Sequence, residues 1–385
     1  MVEVSSNRAG EYVLQKEGYS AFIPKPLPPS DLDIDDSLQV LLSNADAALA
    51  RLDGVTQVLP NPDLFVAMYV KKEALLSSQI EGTQASLQGV LEFEAHVKSH
   101  ENTNDLQEVV NYIKAMNFGL ENVKTSKISV ELINKIHKVL IEGTRGARKL
   151  PGVLRRDQNW IGRPGETIHE AIFVPPPPES VEELMGELGV FITSKQKLPP
   201  LVKIALIHAQ FETIHPYYDG NGRMGRLLIT FYLCSIGNLS RPLMYLSFYL
   251  KKNKDRYYEL LNNVRTHGDW GSWIEFFLKG VIEVSNNSIE TAKRIIRLKD
   301  HTMNKLLENN IGGTSAIKLV DLLFDRPVIS STSVAEELHI SMQAATLLLA
   351  KFEKLKIIQE ITGKKRYRKY IFVDYMKIIQ EGTQI

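Results

Sequence analysis

Two apolar runs separated by one short polar turn restrict this chain more than any other feature. "PPLVKIALIHAQFETIHP" reads as an amphipathic helix, and "NGRMGRLLITFYLCSIG" resumes as an apolar helix from Asn221. The first run must stop near His215, because Pro216 disfavours helical geometry in the residue before it. Helices this apolar need other helices to cover them, so the pair predicts a helical body with the turn held between two buried rods.

The rest of the chain supplies such partners. "DDSLQVLLSNADAALARL" opens with capping-type acids and repeats apolar residues at helical spacing, and "PDLFVAMYVKKEALLSSQIEG" starts on a first-turn proline and halts near Gly82. Further helices are expected at Asp105 to Leu120, Ser129 to Ile141 and Val181 to Ser194. Gly10 to Pro29 reads as an extended arm whose aromatics pack onto a neighbour. "GVLRRDQNWIGRPGETIHEAIFVPPPP" interrupts the helices with β-type residues around a Gly/Pro turn, predicting a hairpin with Pro175 to Pro178 as its stiff exit.

Composition narrows the class. The chain has 385 residues, 44% hydrophobic and 24% charged, which is ordinary for a globular protein with more than one core. The formal net charge of +1 makes no case for nucleic acid or an anionic membrane, so any such case must come from local clustering. The single cysteine, Cys234, reads as a small buried hydrophobe. The N-terminus lacks a basic stretch followed by an apolar core, and no run approaches the roughly 20 apolar residues that span a bilayer. The expectation is a cytoplasmic protein with no membrane partner.

The turn itself, "HPYYDGNGRMGR" from His215 to Arg226, concentrates the chemistry. A Gly-Asn-Gly turn feeding a helix N-terminus gathers free backbone N–H groups and the positive end of the helix dipole, an arrangement that binds phosphate. Gly220 and Gly222 allow close approach, and Arg223 and Arg226, three apart on the new helix, add planar forks for phosphate oxygens. Asp219 inside this cationic nest makes sense as a ligand for a divalent ion that bridges phosphates. His215 has the pKa range of a general base. Singly each of these residues is ordinary, but all of them fall within twelve positions. No GxxxxGK[ST] occurs, so this is a different solution to nucleotide binding.

These residues resemble the core motif of the Fic family, His-Pro-Phe-x-(Asp/Glu)-Gly-Asn-Gly-Arg-x-x-Arg, with Tyr217 in place of the usual Phe. Tyr217 should pack beneath the loop as an aromatic anchor with its hydroxyl partnered. The resemblance implies transfer of AMP from ATP to a hydroxyl side chain of a target protein. His215 would take the hydroxyl proton, and Asp219 would hold Mg²⁺ between the α- and β-phosphates. Asn221 and the backbone at Gly220 and Gly222 would stabilise the α-phosphate, Arg223 would neutralise the departing pyrophosphate and Arg226 would reach the γ-phosphate. A glycine at 222, where the related Doc kinases are expected to carry lysine, favours nucleotidyl over phosphoryl transfer.

Upstream, Ser77 and Glu81 in "SSQIEG" stand four apart and share a helix face. The segment is similar to the family's autoinhibitory motif, (Ser/Thr)-x-x-x-Glu-(Gly/Asn), which implies a Glu81 carboxylate bidentate to Arg226 and a latent enzyme. The resemblance also implies that the hairpin, about Trp160 to Phe173, is a flap clamping the target as an added strand. Tyr249, Tyr257 and Asn263 in "KNKDRYYELLNNVRTHGDW" and its approach are its candidates for an adenine pocket.

After a polar helix near Ser285 to Glu308, "NNIGG" breaks the chain, and the remainder reads helix, short helix, turn, helix, hairpin. It resembles a winged helix, with Ser341 opening the recognition helix and "GKKRYRKY" as a basic wing. DNA and protein are both open as its partner.

The expected architecture is all-α with a small β-hairpin flap, followed by a winged-helix domain. Residues 1–110 would carry the arm and the inhibitory helices, 111–284 the catalytic core, 285–310 a linker helix and 311–385 the winged helix. The partners expected are ATP with Mg²⁺ and an unidentified protein target, with the chain itself as target and a homodimer both left open. Two alternatives also stay open: a nucleotide-sensing DNA-binding regulator, and a de-AMPylating enzyme using the same site.

Overall fold

The computed structural model describes residues 7–58, 62–94, 101–144, 150–163, 165–363 and 368–381. The N-terminal arm is a β-hairpin, β1 (Gly10–Leu14) antiparallel to β2 (Ser20–Pro24), with Tyr12 opposite Phe22. Gly18, at φ 86°, supplies the positive angle the turn between them needs. The arm is stitched to the flap exit: Phe22 N–H donates to the Val174 carbonyl at 3.0 Å, and its ring lies 6.4 Å from that of Phe173.

Six helices follow: α1 (Asp36–Val58), α2 (Pro62–Ile80), α3 (Leu87–Glu94), α4 (Thr103–Val123), α5 (Val130–Ile141) and α6 (Val181–Thr193). Five were legible from periodicity. The short α3 was not; it is nucleated by Ser86, whose Oγ accepts the Gly89 N–H at 2.9 Å. Helix α2 is a core element, with Ala74, Leu75 and Leu76 fully buried.

Helices α7 (Pro200–Ile214) and α8 (Asn221–Ser235) form the expected pair. The amphipathic reading of α7 is corrected, since every residue from Leu201 to Ile214 is buried. The helix is enclosed by α6, α8 and β2, and its polar residues find partners inside. Lys203 Nζ donates to the Ile192 and Ser194 carbonyls, and Gln210 Nε2 donates to the Lys25 carbonyl at 2.9 Å.

Beyond them lie α9 (Ser247–Lys252), α10 (Lys254–His267) and α11 (Trp270–Glu308), which packs on α1 and α7 and runs unbroken for 39 residues. The polar helix read at Ser285 to Glu308 is its second half. The C-terminal unit is α12 (Thr314–Asp325), β3 (Val328–Ser330), α13 (Ser331–Leu338), α14 (Met342–Lys354), β4 (Gln359–Glu360), β5 (Lys369–Ile371) and α15 (Val373–Gln380).

This unit is a winged helix with a three-stranded antiparallel sheet of order β3-β5-β4. Ser341 caps the second helix of the helix-turn-helix, accepting the Ala344 N–H at 3.2 Å. Strand β3 and helix α15 were not anticipated. The wing residues Lys364, Lys365 and Arg366 lie outside the described residues.

The flap is a hairpin closed by one bridge, in which Ile161 N–H donates to the Phe173 carbonyl at 2.8 Å and Phe173 N–H to the Ile161 carbonyl at 3.1 Å. A 3₁₀ turn at Ile168–Glu170 fills its tip. Cys234 is half-buried, and burial pushes its thiol up to about 12. No helix among the described residues is long and apolar enough to cross a membrane.

Candidate active site

Helix α7 ends because His215 adopts the left-handed conformation, φ 49° and ψ 59°, just before Pro216. An L-residue is rarely held there without support, and the support is visible. Its carbonyl accepts Arg155 Nε at 3.0 Å and Asn159 Nδ2 at 3.4 Å. Arg155 is buried and also donates to the Pro176 carbonyl at 2.5 Å, so one guanidinium ties the flap's two ends to the loop. Sequence reading passed over Arg155 because "GVLRR" looks like a solvated strand.

The next residues fold onto α5. Tyr217 is fully buried, its hydroxyl donates to Asn134 Oδ1 at 2.6 Å, and its ring stacks on His137 at 3.6 Å with a 6° tilt. The partner expected for that hydroxyl is therefore Asn134. Tyr217→Phe should lower unfolding free energy by about 1 kcal/mol in denaturant titrations, the usual net worth of one buried hydrogen bond.

His137, unnoticed in the sequence, is a stud beneath the loop. Its Nδ1 accepts the Gly152 N–H at 2.9 Å, so the proton sits on Nε2, which donates to the Asp219 carbonyl at 2.9 Å. Burial pushes its pKa down to about 4, which keeps it neutral.

Gly220 has φ 77°, and a Cβ there would lie 2.6 Å from Ile141 Cδ1. Asn221 opens α8 and closes the loop on itself: its Oδ1 accepts the Tyr217 N–H at 2.8 Å and its Nδ2 donates to the Tyr217 carbonyl at 2.7 Å. The amide thus shapes the turn.

Around this cradle stand the charged groups. Asp219 Oδ1 accepts the Gly220 N–H at 2.6 Å and Arg223 Nη2 at 3.3 Å. Arg223 is 3% exposed, and among the described residues its Nε and Nη1 have no hydrogen-bond acceptor. Buried guanidinium N–H groups are costly to leave unsatisfied, so they mark a place built for oxygen.

Arg226 is 2% exposed and is engaged through two of its nitrogens with α2 and the residue just beyond it: Nε donates to Ser77 Oγ at 2.8 Å, and Nη2 to the Ser77 carbonyl at 2.9 Å and to Glu81 Oε1 at 2.7 Å. The bidentate pairing expected for Glu81 is corrected. Ser77, one turn earlier, takes Nε, and the carboxylate meets one nitrogen.

Glu81 Oε1 also lies against Gly222, where any Cβ would collide with it. The carboxylate therefore rests on the N-terminus of α8, the position a phosphate oxygen would take. Burial alone would raise the Glu81 pKa, but Arg226, with Arg223 and His215, outweighs it and the pKa is lowered.

Further ionisable groups sit behind Arg226. Glu73, Ser77 and Glu81 form one stripe at four-residue spacing. Glu73 accepts from Ser247 Oγ at 2.5 Å and from the Tyr112 hydroxyl at 3.1 Å, and burial pushes it up to about 7. Glu212 is likewise raised to about 7 by burial. Neither was singled out from sequence, because a glutamate in a helix reads as solvated.

His215 is lowered to about 4, by burial first and then by Arg155 and Arg265. Its buried Nδ1 has no partner among the described residues. A base of this kind is neutral, and able to accept a proton, at every pH above that value. The acid limb of kcat/KM, which reports the free protein, should fall near pH 4; a limb near 6.5, the ordinary histidine value, would contradict this assignment.

The adenine candidates fare differently. Tyr249 turns onto Phe276, 4.9 Å between ring centres, and Tyr257 is buried with its hydroxyl 2.9 Å from His208 Nε2. Asn263 is half-buried on α10, and its carbonyl accepts the Asp269 N–H at 3.3 Å. Tyr257 lies within electrostatic reach of Glu81 and Arg226, and so does Tyr258, one position along and 42% exposed.

As for a metal, the described residues contain no cluster of three or more His, Cys, Asp or Glu side chains poised to bind one. Asp219, with its side chain 36% exposed, fits an ion held by one carboxylate together with substrate phosphates, as Mg²⁺ usually is.

Residues 39–121 match the Fic/DOC family N-terminal domain, residues 127–233 the Fic/DOC family domain and residues 317–371 an HTH DNA binding domain. The protein adenylyltransferase Fic of Nematostella vectensis is 37% identical over 105 residues, covering 27% of this chain and 23% of that protein. A probable protein adenylyltransferase of Aquifex aeolicus is 37% identical over 73 residues, 19% of this chain and 23% of its own length. The protein adenylyltransferase Fic of Aedes aegypti is 30% identical over 210 residues, 51% of this chain and 37% of that protein. The chain thus spans less than two fifths of each of these relatives. Among solved structures, a Fic family protein from Desulfovibrio desulfuricans superposes with a TM-score of 0.58 at 19% identity, covering 88% of this chain and 97% of that one. A Fic domain containing signaling protein from Bacteroides thetaiotaomicron gives 0.51 at 16% identity, over 66% and 97%. These likenesses concern the fold.

Proposed function

Since the chain belongs to the Fic/DOC family, we propose that it is a nucleotidyltransferase that moves AMP from ATP to a hydroxyl side chain of a protein, and that Glu81 holds it in check. The observation that carries this is the Glu81 carboxylate lying on Gly222 and Arg226. A side chain of this protein stands where a triphosphate oxygen would be bound.

In the proposed reaction the acceptor hydroxyl oxygen attacks the α-phosphorus and its proton passes to the imidazole of His215. An O–P bond forms, the bond from the α-phosphorus to the bridging oxygen breaks, and pyrophosphate leaves. The backbone N–H groups at the start of α8 face the charge that builds on the α-phosphate. Arg223 brings its two unsatisfied N–H groups to the leaving pyrophosphate, and Arg226 takes the γ-phosphate once Glu81 has moved. Mg²⁺, held through Asp219, would supply charge neutralisation between the phosphates. Asn221 acts through the backbone of Tyr217, by keeping the loop closed.

Incubating the protein with ATP labelled at the α- or the γ-phosphate, together with a cell lysate, tests the reaction class. Label retained on protein from the α-position alone supports AMP transfer; retention from the γ-position would mean kinase chemistry.

A second reading concerns the winged helix, favoured by the match of residues 317–371 to an HTH DNA binding domain. The outward face of α14 is mixed: Met342 and Leu347 are 49% and 59% exposed beside Lys351 and Lys354. DNA retention should fall steeply with salt and be lost when Lys364, Lys365 and Arg366 are neutralised together; retention indifferent to both would point to a protein partner.

A further inference from the structure

Helix α7 ends in carbonyls that its own backbone cannot satisfy. The donor for the Glu212 carbonyl would come from position 216, and Pro216 has no N–H. Arg265 of α10 takes that place: its Nη2 reaches the Glu212 carbonyl at 3.4 Å, and its Nε donates to Thr213 Oγ1 at 3.2 Å. Arg155 approaches the Ile214 carbonyl in the same way, with Nη2 at 3.4 Å. Two guanidiniums therefore cover the negative end of α7, immediately before His215. Arg265 is 5% exposed, and its own carbonyl accepts Asn7 Nδ2 at 2.8 Å, which ties α10 to the arm.

The same guanidinium lies over the flap. Its Cζ stands 3.7 Å from the centre of the buried Phe173 ring, a cation–π contact shielded from water. Phe173 is one half of the bridge that closes the flap, paired with Ile161. We propose that Arg265 is a positioning residue that seats the flap on the end of the helix carrying His215. The proposal rests on the nucleotidyltransferase reading for what His215 and the flap do; Arg265 acts through Phe173 on one side and α7 on the other.

Its charge has a second effect at the same place. Burial lowers the His215 pKa first, Arg155 and Arg265 lower it further, and Glu81 and the Glu212 backbone raise it. Arg265 in turn faces Glu212, Tyr12 and Tyr257, and it stays charged at neutral pH because burial lowers its pKa only to about 10. Without that charge the imidazolium of His215 forms more readily, so His215 titrates at a higher pH and the range in which it is a neutral base shrinks from the acid side. One side chain thus sets both the seat of the flap and the readiness of the base.

Arg265→Lys keeps the charge and loses the planar fork, whereas Arg265→Met loses both. NMR titration of the His215 imidazole should place wild type and Arg265→Lys together near pH 4 and move Arg265→Met upward. Hydrogen exchange of the Ile161 amide, which donates to the Phe173 carbonyl, should quicken about ten-fold in both variants. Phe173→Leu removes the ring and leaves Arg265 in place, so it should quicken the same amide without moving His215. The double variant Phe173→Leu/Arg265→Met should exchange no faster than the quicker single one, because both changes break one contact.

A His215 titration unmoved in Arg265→Met, or an Ile161 amide indifferent to positions 265 and 173, would overturn the proposal. Should Arg265→Met fail to fold, Phe173→Leu and Arg265→Lys decide alone, and wild-type exchange at Ile161 in both overturns it. Neither readout needs nucleotide or acceptor. If both move as expected while Glu81→Gly takes up no label from α-labelled ATP, Arg265 keeps its place and the nucleotidyltransferase reading fails. If label is transferred while both readouts ignore Arg265, that reading stands and the proposal falls.

Discussion

His215→Ala is expected to reduce AMP transfer by roughly 10²- to 10⁴-fold, the usual contribution of a positioned general base, and to leave MgATP affinity within about two-fold. The split follows from where the residue sits. His215 closes α7 through backbone bonds, its N–H to the Phe211 carbonyl and its carbonyl to Arg155 and Asn159, and alanine keeps all of these. The phosphate contacts proposed here come from Gly220 onward, so the cradle survives the change. The left-handed backbone at 215 will cost alanine some stability, and a thermal melt recorded alongside separates that effect from the kinetic one. A His215→Ala protein that transfers AMP at the wild-type rate would remove His215 from the chemistry.

Glu81→Gly is expected to act in the opposite direction and raise transfer about 10- to 100-fold. The contact it removes is a hydrogen bond to a charged group, worth about 1.5–3 kcal/mol, and the change also clears the oxygen that rests on Gly222. Arg226 does not collapse when Glu81 goes, because Ser77 still holds Nε and one hydrogen of Nη2. The fork stays pointed at the site with one N–H of Nη2 set free. Helix α2 is part of the buried core, so the natural release is expected at the turn after Ile80 and not by departure of the helix. Equal rates for wild type and Glu81→Gly would reject the inhibitory role.

The features legible in the sequence were those written in local spacing. A proline after His215, two glycines around Asn221 and arginines three apart define the loop, and Ser77 with Glu81 four apart defines the face that meets Arg226. Each depends on geometry within one or two turns of chain. The pairing of Glu81 with Arg226 also came from the family resemblance, and its detail differed because Ser77 competes for the same guanidinium.

What stayed hidden depends on tertiary contact. Lys203 and Glu212 look solvated in a string of letters, yet both are buried on a helix enclosed on all sides. His137 and Asn134 lie some 80 positions before the tyrosine they support, and nothing local signals them. Arg155 reads as a surface charge until its donors are seen spent on carbonyls from three segments. Tyr249 packs on Phe276, while Tyr257, buried, and its neighbour Tyr258, exposed, both lie within electrostatic reach of Arg226 and Glu81, a closeness that aromatic spacing on a helix does not reveal.

In the proposed function residues 215–226 form a cradle for a magnesium-complexed triphosphate, and Glu81 lies in it. Calorimetric titration of Glu81→Gly with MgATP tests this most directly. One site per chain is expected, tighter than in the wild type and lost when Arg226 is also changed to alanine. Absence of binding in Glu81→Gly, or binding indifferent to Arg226, would contradict it.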